Sequence, residues 1–107
     1  MLRIYDVSLA MLRQVRPVAE AIARHDGDHA RQLRRSSLSV TLNVAEGSGS
    51  RAGTRRQRYF DALGSAQETL ANLEAAEAIG YVGRIDPALR DKLDHIIKTL
   101  VVVTRRG

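Results

Sequence analysis

Hydrophobic positions recur at helical spacing along most of the chain. Ile4, Val7, Met11, Val15, Val18 and Ile22 follow at steps of three and four, the repeat of one helix face. Leu9, Leu12, Ala19 and Ala23 add a weaker stripe beside it. Asp6 suits an N-cap and Asp26-Gly27 a stop, so a first helix is predicted over about 6–25. Pro17 falls inside this pattern. It removes one backbone hydrogen bond and is expected to kink the helix near Arg13 to Pro17 rather than end it.

The next segment carries two periods at once. Leu38-Ser-Val-Thr-Leu-Asn-Val44 alternates as a strand would, and Ser and Thr are mediocre helix formers. Wound as a helix, Leu33, Val40 and Val44 share one side, while Leu38, Leu42 and Ala45 lie roughly 150° around. A lone strand among helices has no partner strand. The preferred reading is a helix over about 28–47, capped by Asp28, apolar on two faces and ended by Gly47 and Gly49.

Ser48 to Gly53 reads as a small polar loop, and Thr54 as the N-cap of a third helix over about 54–79 with Gly80 as its stop. Tyr59, Leu63, Ala66, Leu70 and Leu73 are expected on its inner face, and Gly64-Ser65 is expected to admit a close neighbour. Asp86-Pro87 opens a fourth helix over about 86–104, with Leu89, Leu93, Ile96, Leu100 and Val103 inward and Ile97 and Val101 widening that stripe. Four helices joined by short turns predict an all-α fold, an antiparallel up-down-up-down four-helix bundle in one domain, residues 1–107. The extra apolar stripes exceed what one copy would bury, so the bundle is expected to be a homo-oligomer.

Composition narrows the chemistry. There is no cysteine, which excludes a disulfide scaffold, thiolate metal sites and a cysteine nucleophile. The longest aliphatic run, Leu100 to Val103, is far short of the roughly 20 residues that span a bilayer. The start lacks the apolar stretch of a signal peptide, so a soluble cytoplasmic protein with no membrane association is expected.

The net charge of +5 is unevenly spread. Residues 1–30 balance, residues 31–58 carry +6, residues 59–80 carry −4 and residues 81–107 carry +3. Fifteen of the seventeen bases are arginine, whose planar fork pairs bidentately with phosphate. Two readings are open: an anionic polymer binds the basic block, or the basic and acidic blocks pair with each other within or between subunits.

Arg51, Arg55, Arg56 and Arg58 surround the start of the third helix, where cations oppose the helix dipole. That suggests an external anion, against a plain solvated face. Arg34 and Arg35 serve either phosphate contact or acids across an interface. Asn43 and Glu46 share a side of helix 2. Either Glu46 orients phosphate-binding arginines, or the two satisfy loop amides or pair with a neighbouring Arg. Gly47 and Gly49 read as a helix stop, with a phosphate-cradling loop as the alternative.

Glu74 and Glu77 fall on or beside the predicted inner face of helix 3, where pairing with arginine is expected. Di-iron bundles need Glu-x-x-His motifs that are missing here. His95 with Asp91 and Asp94 lies off the apolar stripe, and His25 and His29 flank a turn, so no metal and no cofactor is expected. Ser36, Ser37 and Ser39 lack the partners of a nucleophile. Only four aromatics occur, so base stacking is not the main mode of any nucleic-acid binding.

Taken in order, Gln32-Leu-Arg-Arg35, Ser39-Val-Thr-Leu-Asn-Val-Ala-Glu-Gly-Ser-Gly49, Tyr59-Phe-Asp-Ala-Leu-Gly-Ser65, Glu68 and Ile79-Gly-Tyr81 form a recognisable pattern. It resembles the bacterial four-helix-bundle family of 23S rRNA intervening-sequence proteins, also called S23 ribosomal proteins. Asn43 to Gly49 is its most specific stretch. The chain departs from it at Thr41 or Leu42, where many relatives carry proline, at the short turn His25–His29, and at Pro17. The resemblance implies a homopentamer. It also implies kinship with a basic pentameric accessory protein of diversity-generating retroelements, which binds nucleic acid and a reverse transcriptase. The expected function is therefore non-enzymatic binding of RNA or DNA by clustered arginines. The alternative is a scaffold docking an acidic or nucleoprotein partner, with the arginines at subunit interfaces.

Overall fold

A computed structural model describes residues 3–106 and places four α-helices along them: α1 (Ile4–Ala23), α2 (Gly27–Ser48), α3 (Ala52–Ile79) and α4 (Pro87–Arg106). Met1, Leu2 and Gly107, included in the predicted domain, lie outside the described residues. α2 packs on α1 and α3, and α4 packs on α3 and α1, which is the antiparallel up-down-up-down bundle. Its long dimension of 42 Å is that of the 28-residue α3.

The helix starts correct several expectations. Asp26, not Asp28, caps α2, its carboxylate accepting from the backbone N–H groups of Asp28 and His29 at 3.0 Å each. Asp28 sits two residues further on, within the first turn, and accepts from Gln32 and Arg31. Those two donors hold its carboxyl below the ordinary aspartate range. α1 follows Arg3 rather than Asp6 and ends at Ala23 rather than His25. α3 follows Arg51 rather than Thr54, and neither arginine makes a side-chain cap bond. The fourth helix starts as expected: Ala88 N–H donates to Asp86 Oδ1 at 2.9 Å, and Pro87 is the first helical residue. α1 runs unbroken through Pro17, which is exposed.

The ambiguous segment is helical and two-faced. Leu33, Val40 and Val44 are fully buried, while Leu38 and Leu42 remain half-exposed. The hydroxyls that weaken its helical signal hold it in place. Thr41 Oγ1 donates to Ser8 Oγ of α1 at 3.0 Å, and Thr69 Oγ1 of α3 donates to Ser36 Oγ at 2.9 Å. Both pairs are buried, and small hydroxyls let the helices approach while leaving no orphaned polar atom there.

The inner spine of α3 also differs from the sequence reading. Tyr59, Ala62, Ala66, Thr69, Leu73 and Ala76 are its buried residues, a regular three–four repeat. Leu63 and Leu70 are only part-buried beside it. Their stronger hydrophobic signal masked a spine made mostly of small residues. Gly64 is exposed, and a Cβ added there would meet nothing within 4 Å, so no helix of this chain uses it for close approach. Its neighbour Ser65 does reach α2, with its hydroxyl 2.8 Å from that of Ser39.

Candidate nucleic-acid interface

Up-down-up-down connectivity brings the start of α1, the end of α2, the start of α3 and the end of α4 to one end of the bundle. That end gathers Arg3, Arg51, Arg55, Arg56, Arg58 and Arg105, against Asp6, Glu46 and Asp61. All six arginines except the part-buried Arg58 are exposed.

Three of them are tied down by the fold. Arg56 Nε donates to the Thr104 carbonyl at 2.9 Å, satisfying an end group of α4 where the dipole favours a cation. Arg58 Nε lies 3.2 Å from Glu46 Oε2 across the α2–α3 contact. Arg55 Nη2 donates to the Ser50 carbonyl at 2.9 Å, which bends it over the loop. Arg51 has no ion pair within 4.0 Å among the described residues, although it stands at the positive end of α3. A phosphate at this end would meet both exposed guanidinium groups and the unsatisfied amides of a helix N-terminus.

Arg34 and Arg35 are not brought to this end. They are exposed on α2, about 18 Å along its axis from Gly47 in the case of Arg35. Arg35 instead joins Arg31 and Arg58 around an open groove of about 710 Å³ between α2 and α3. Ser39, Asn43 and Ser65 also line it, with Leu38, Leu42 and the acids Asp28, Glu46 and Glu68. This second surface sets three arginines against three carboxylates, whereas the arginine end sets six against three.

The residues between the two surfaces are structural. Asn43 Nδ2 donates to the Ser39 carbonyl and to Ser39 Oγ, both at 3.0 Å, and so does not serve the loop amides. Glu46 does pair with a neighbouring arginine, Arg58. Gly47 belongs to α2 and is buried against Tyr59, so it neither stops the helix nor cradles a phosphate. Gly49 is the C-cap, at φ −94°. The phosphate-loop alternative fails because the Tyr59 ring occupies the space at Gly47 where a ligand would sit.

At the opposite end, Glu74 and Glu77 are exposed rather than inward. Glu74 pairs with Arg90 at 3.2 Å, as expected, but Glu77 accepts the Ile85 backbone N–H at 2.9 Å and ties down the α3–α4 turn. His25 stacks on Tyr81 with centroids 5.2 Å apart, and His29 meets the same ring edge-on while its Nε2 lies 2.9 Å from the Asn72 carbonyl. Among the described residues no group of three or more His, Asp or Glu is placed to hold a metal ion. No helix described is long and apolar enough to cross a membrane.

With this geometry in place, the kinship of the chain can be judged. The sequence model of the 23S rRNA-intervening sequence protein family matches residues 1–102. The chain belongs to that family. Its fold is similar to the crystal structure of a protein of unknown function from the S23 ribosomal protein family of Bacteroides thetaiotaomicron. The two share 20% identity at a TM-score of 0.84, over 94% of this chain and 97% of that one. Comparison with curated proteins gave no match. Family membership thus fixes the bundle and leaves the function to the surface.

Sequence reasoning missed three residues of the arginine end: Arg3, Arg105 and Phe60. Each lies outside the basic block or carries no charge. The available signal was topological, because an up-down bundle must bring the first residues of α1 and the last of α4 beside the α2–α3 turn.

Proposed function

We propose that this is a non-enzymatic, homo-oligomeric cytoplasmic protein that binds the phosphate backbone of RNA or DNA through the arginine-rich end of its bundle. The observation that carries this reading is the convergence of exposed arginines from α1, the α2–α3 turn, α3 and α4 on one end with few carboxylates. Contacts of this kind are mainly to phosphate, so they read little sequence and depend steeply on salt. Of the serines weighed as nucleophiles, Ser36 and Ser37 are buried and donate to the Leu33 carbonyl, which leaves neither hydroxyl open to a substrate.

Self-association is supported by Leu38 and Leu42, which are 48% and 51% exposed at the α2–α3 groove. Five subunits are implied by the family resemblance. A ring would join the basic ends of its members into one band. Light scattering at micromolar concentration is expected to give an oligomer, and Leu38→Glu combined with Leu42→Glu is expected to give a folded monomer. A monomeric parent protein would overturn this part of the proposal.

The function is tested by fluorescence anisotropy with structured RNA and duplex DNA at several salt concentrations, using nuclease-treated protein. Micromolar or tighter binding is expected, with log affinity falling linearly in log salt by about 0.9 per phosphate contacted on a duplex. No binding at low salt would overturn it, and would assign the arginines to subunit interfaces or to an acidic or nucleoprotein partner.

A further inference from the structure

We propose that Phe60, held by Arg56, forms a stacking subsite for an unpaired base at the rim of the arginine end. On this view single-stranded nucleic acid is the preferred ligand, an inference that rests on the function proposed above. Phe60 is the only phenylalanine of the chain and is 50% exposed. The Arg56 guanidinium lies over that ring, 5.6 Å from its centroid. Because Arg56 Nε is fixed to the Thr104 carbonyl, the cation holds the ring in place and leaves half of its surface to solvent.

Beside the ring lies a hollow of about 270 Å³, walled by Leu63, Val101 and Thr104 and rimmed by Arg56 and Arg105. No carboxylate lines it. An apolar hollow with an aromatic face and two guanidinium groups matches a nucleotide, whose base is flat and apolar-faced and whose phosphate is anionic. A paired base cannot offer its face, because it is stacked within its own duplex. The Thr104 hydroxyl donates into its own helix, at 2.7 Å to the Leu100 carbonyl, and so has no proton to offer a ligand in the hollow. This single subsite adds to phosphate contact without replacing it.

The test uses the full chain, a short oligothymidylate carrying one 2-aminopurine, and a duplex of the same length. Phe60→Ala, at a half-exposed position, is expected to fold normally and to lose about tenfold affinity for the single strand. Its duplex affinity and its salt slope are expected to be unchanged. Phe60→Trp, the only tryptophan in that variant, is expected to keep the affinity and to be quenched by the single strand and not by the duplex. The inference is overturned if Phe60→Ala weakens both ligands alike or neither. It is also overturned if the tryptophan responds to protein concentration instead, which would place Phe60 between copies of the chain. Salt-dependent binding by the parent protein together with an inert Phe60→Ala would sink only this subsite. No binding by the parent protein would sink the proposed function with it.

Discussion

Gly47→Ala is expected to destabilise the bundle by about 2 kcal/mol, against the usual direction of a glycine-to-alanine change inside a helix. Alanine ordinarily gains up to about 1 kcal/mol there from propensity. At Gly47 the added Cβ would stand 2.5 Å from Tyr59 Cε1 and 2.7 Å from Cδ1. Tyr59 is 6% exposed and its hydroxyl lies 3.4 Å from Ser48 Oγ, so the ring has little room to withdraw. A melting temperature lower by roughly 8–10 °C follows for a domain of this size. Gly47→Leu should be worse, and Tyr59→Leu in the Gly47→Ala background should recover part of the loss. A Gly47→Ala protein melting at or above the parent temperature would show that the contact is loose.

Arg51→Asp is expected to move stability and binding in opposite directions. Arg51 is the N-cap of α3 with extended backbone, φ −74° and ψ 161°, and makes no side-chain cap bond. Aspartate at such a position accepts from the first-turn amides and suits the dipole, for a gain of about 1 kcal/mol. Yet removing a phosphate contact and adding a negative charge should lower nucleic-acid affinity by about tenfold near physiological salt. Thermal melts and anisotropy on the same preparation check both signs. A stabilised variant that binds as the parent does would remove Arg51 from the interface.

The bundle was legible in the sequence where strong signals agreed. Asp86-Pro87 opened α4, and the Ile4–Ile22 stripe marked α1. It was least legible where small residues carry the packing. Ala62, Thr69 and Ala76 of the α3 spine were hidden behind Leu63 and Leu70, and Gly47 looked like a stop because nothing in the sequence places the Tyr59 ring against it. Asp26 and Asp28 both have the chemistry of a cap, and only the backbone path chose between them.

The candidate site was half legible. Arg51, Arg55, Arg56 and Arg58 are one cluster in the sequence and one end in space. Arg34 and Arg35, close to them in the sequence, are carried away along α2, while Arg3 and Arg105, remote in the sequence, are brought in by the helix order. Segment charge records composition along the chain and is blind to that exchange.

The most direct measurement compares the salt dependence of nucleic-acid binding for two variants that lose the same charge, Arg51→Ala plus Arg55→Ala and Arg34→Ala plus Arg35→Ala. If the arginine end binds phosphate, the first pair lowers affinity and reduces the log–log slope by about 2, while the second leaves the slope near the parent value. Equal slopes in the two variants would contradict the account, because net charge rather than the arginine-rich end of the bundle would then govern binding.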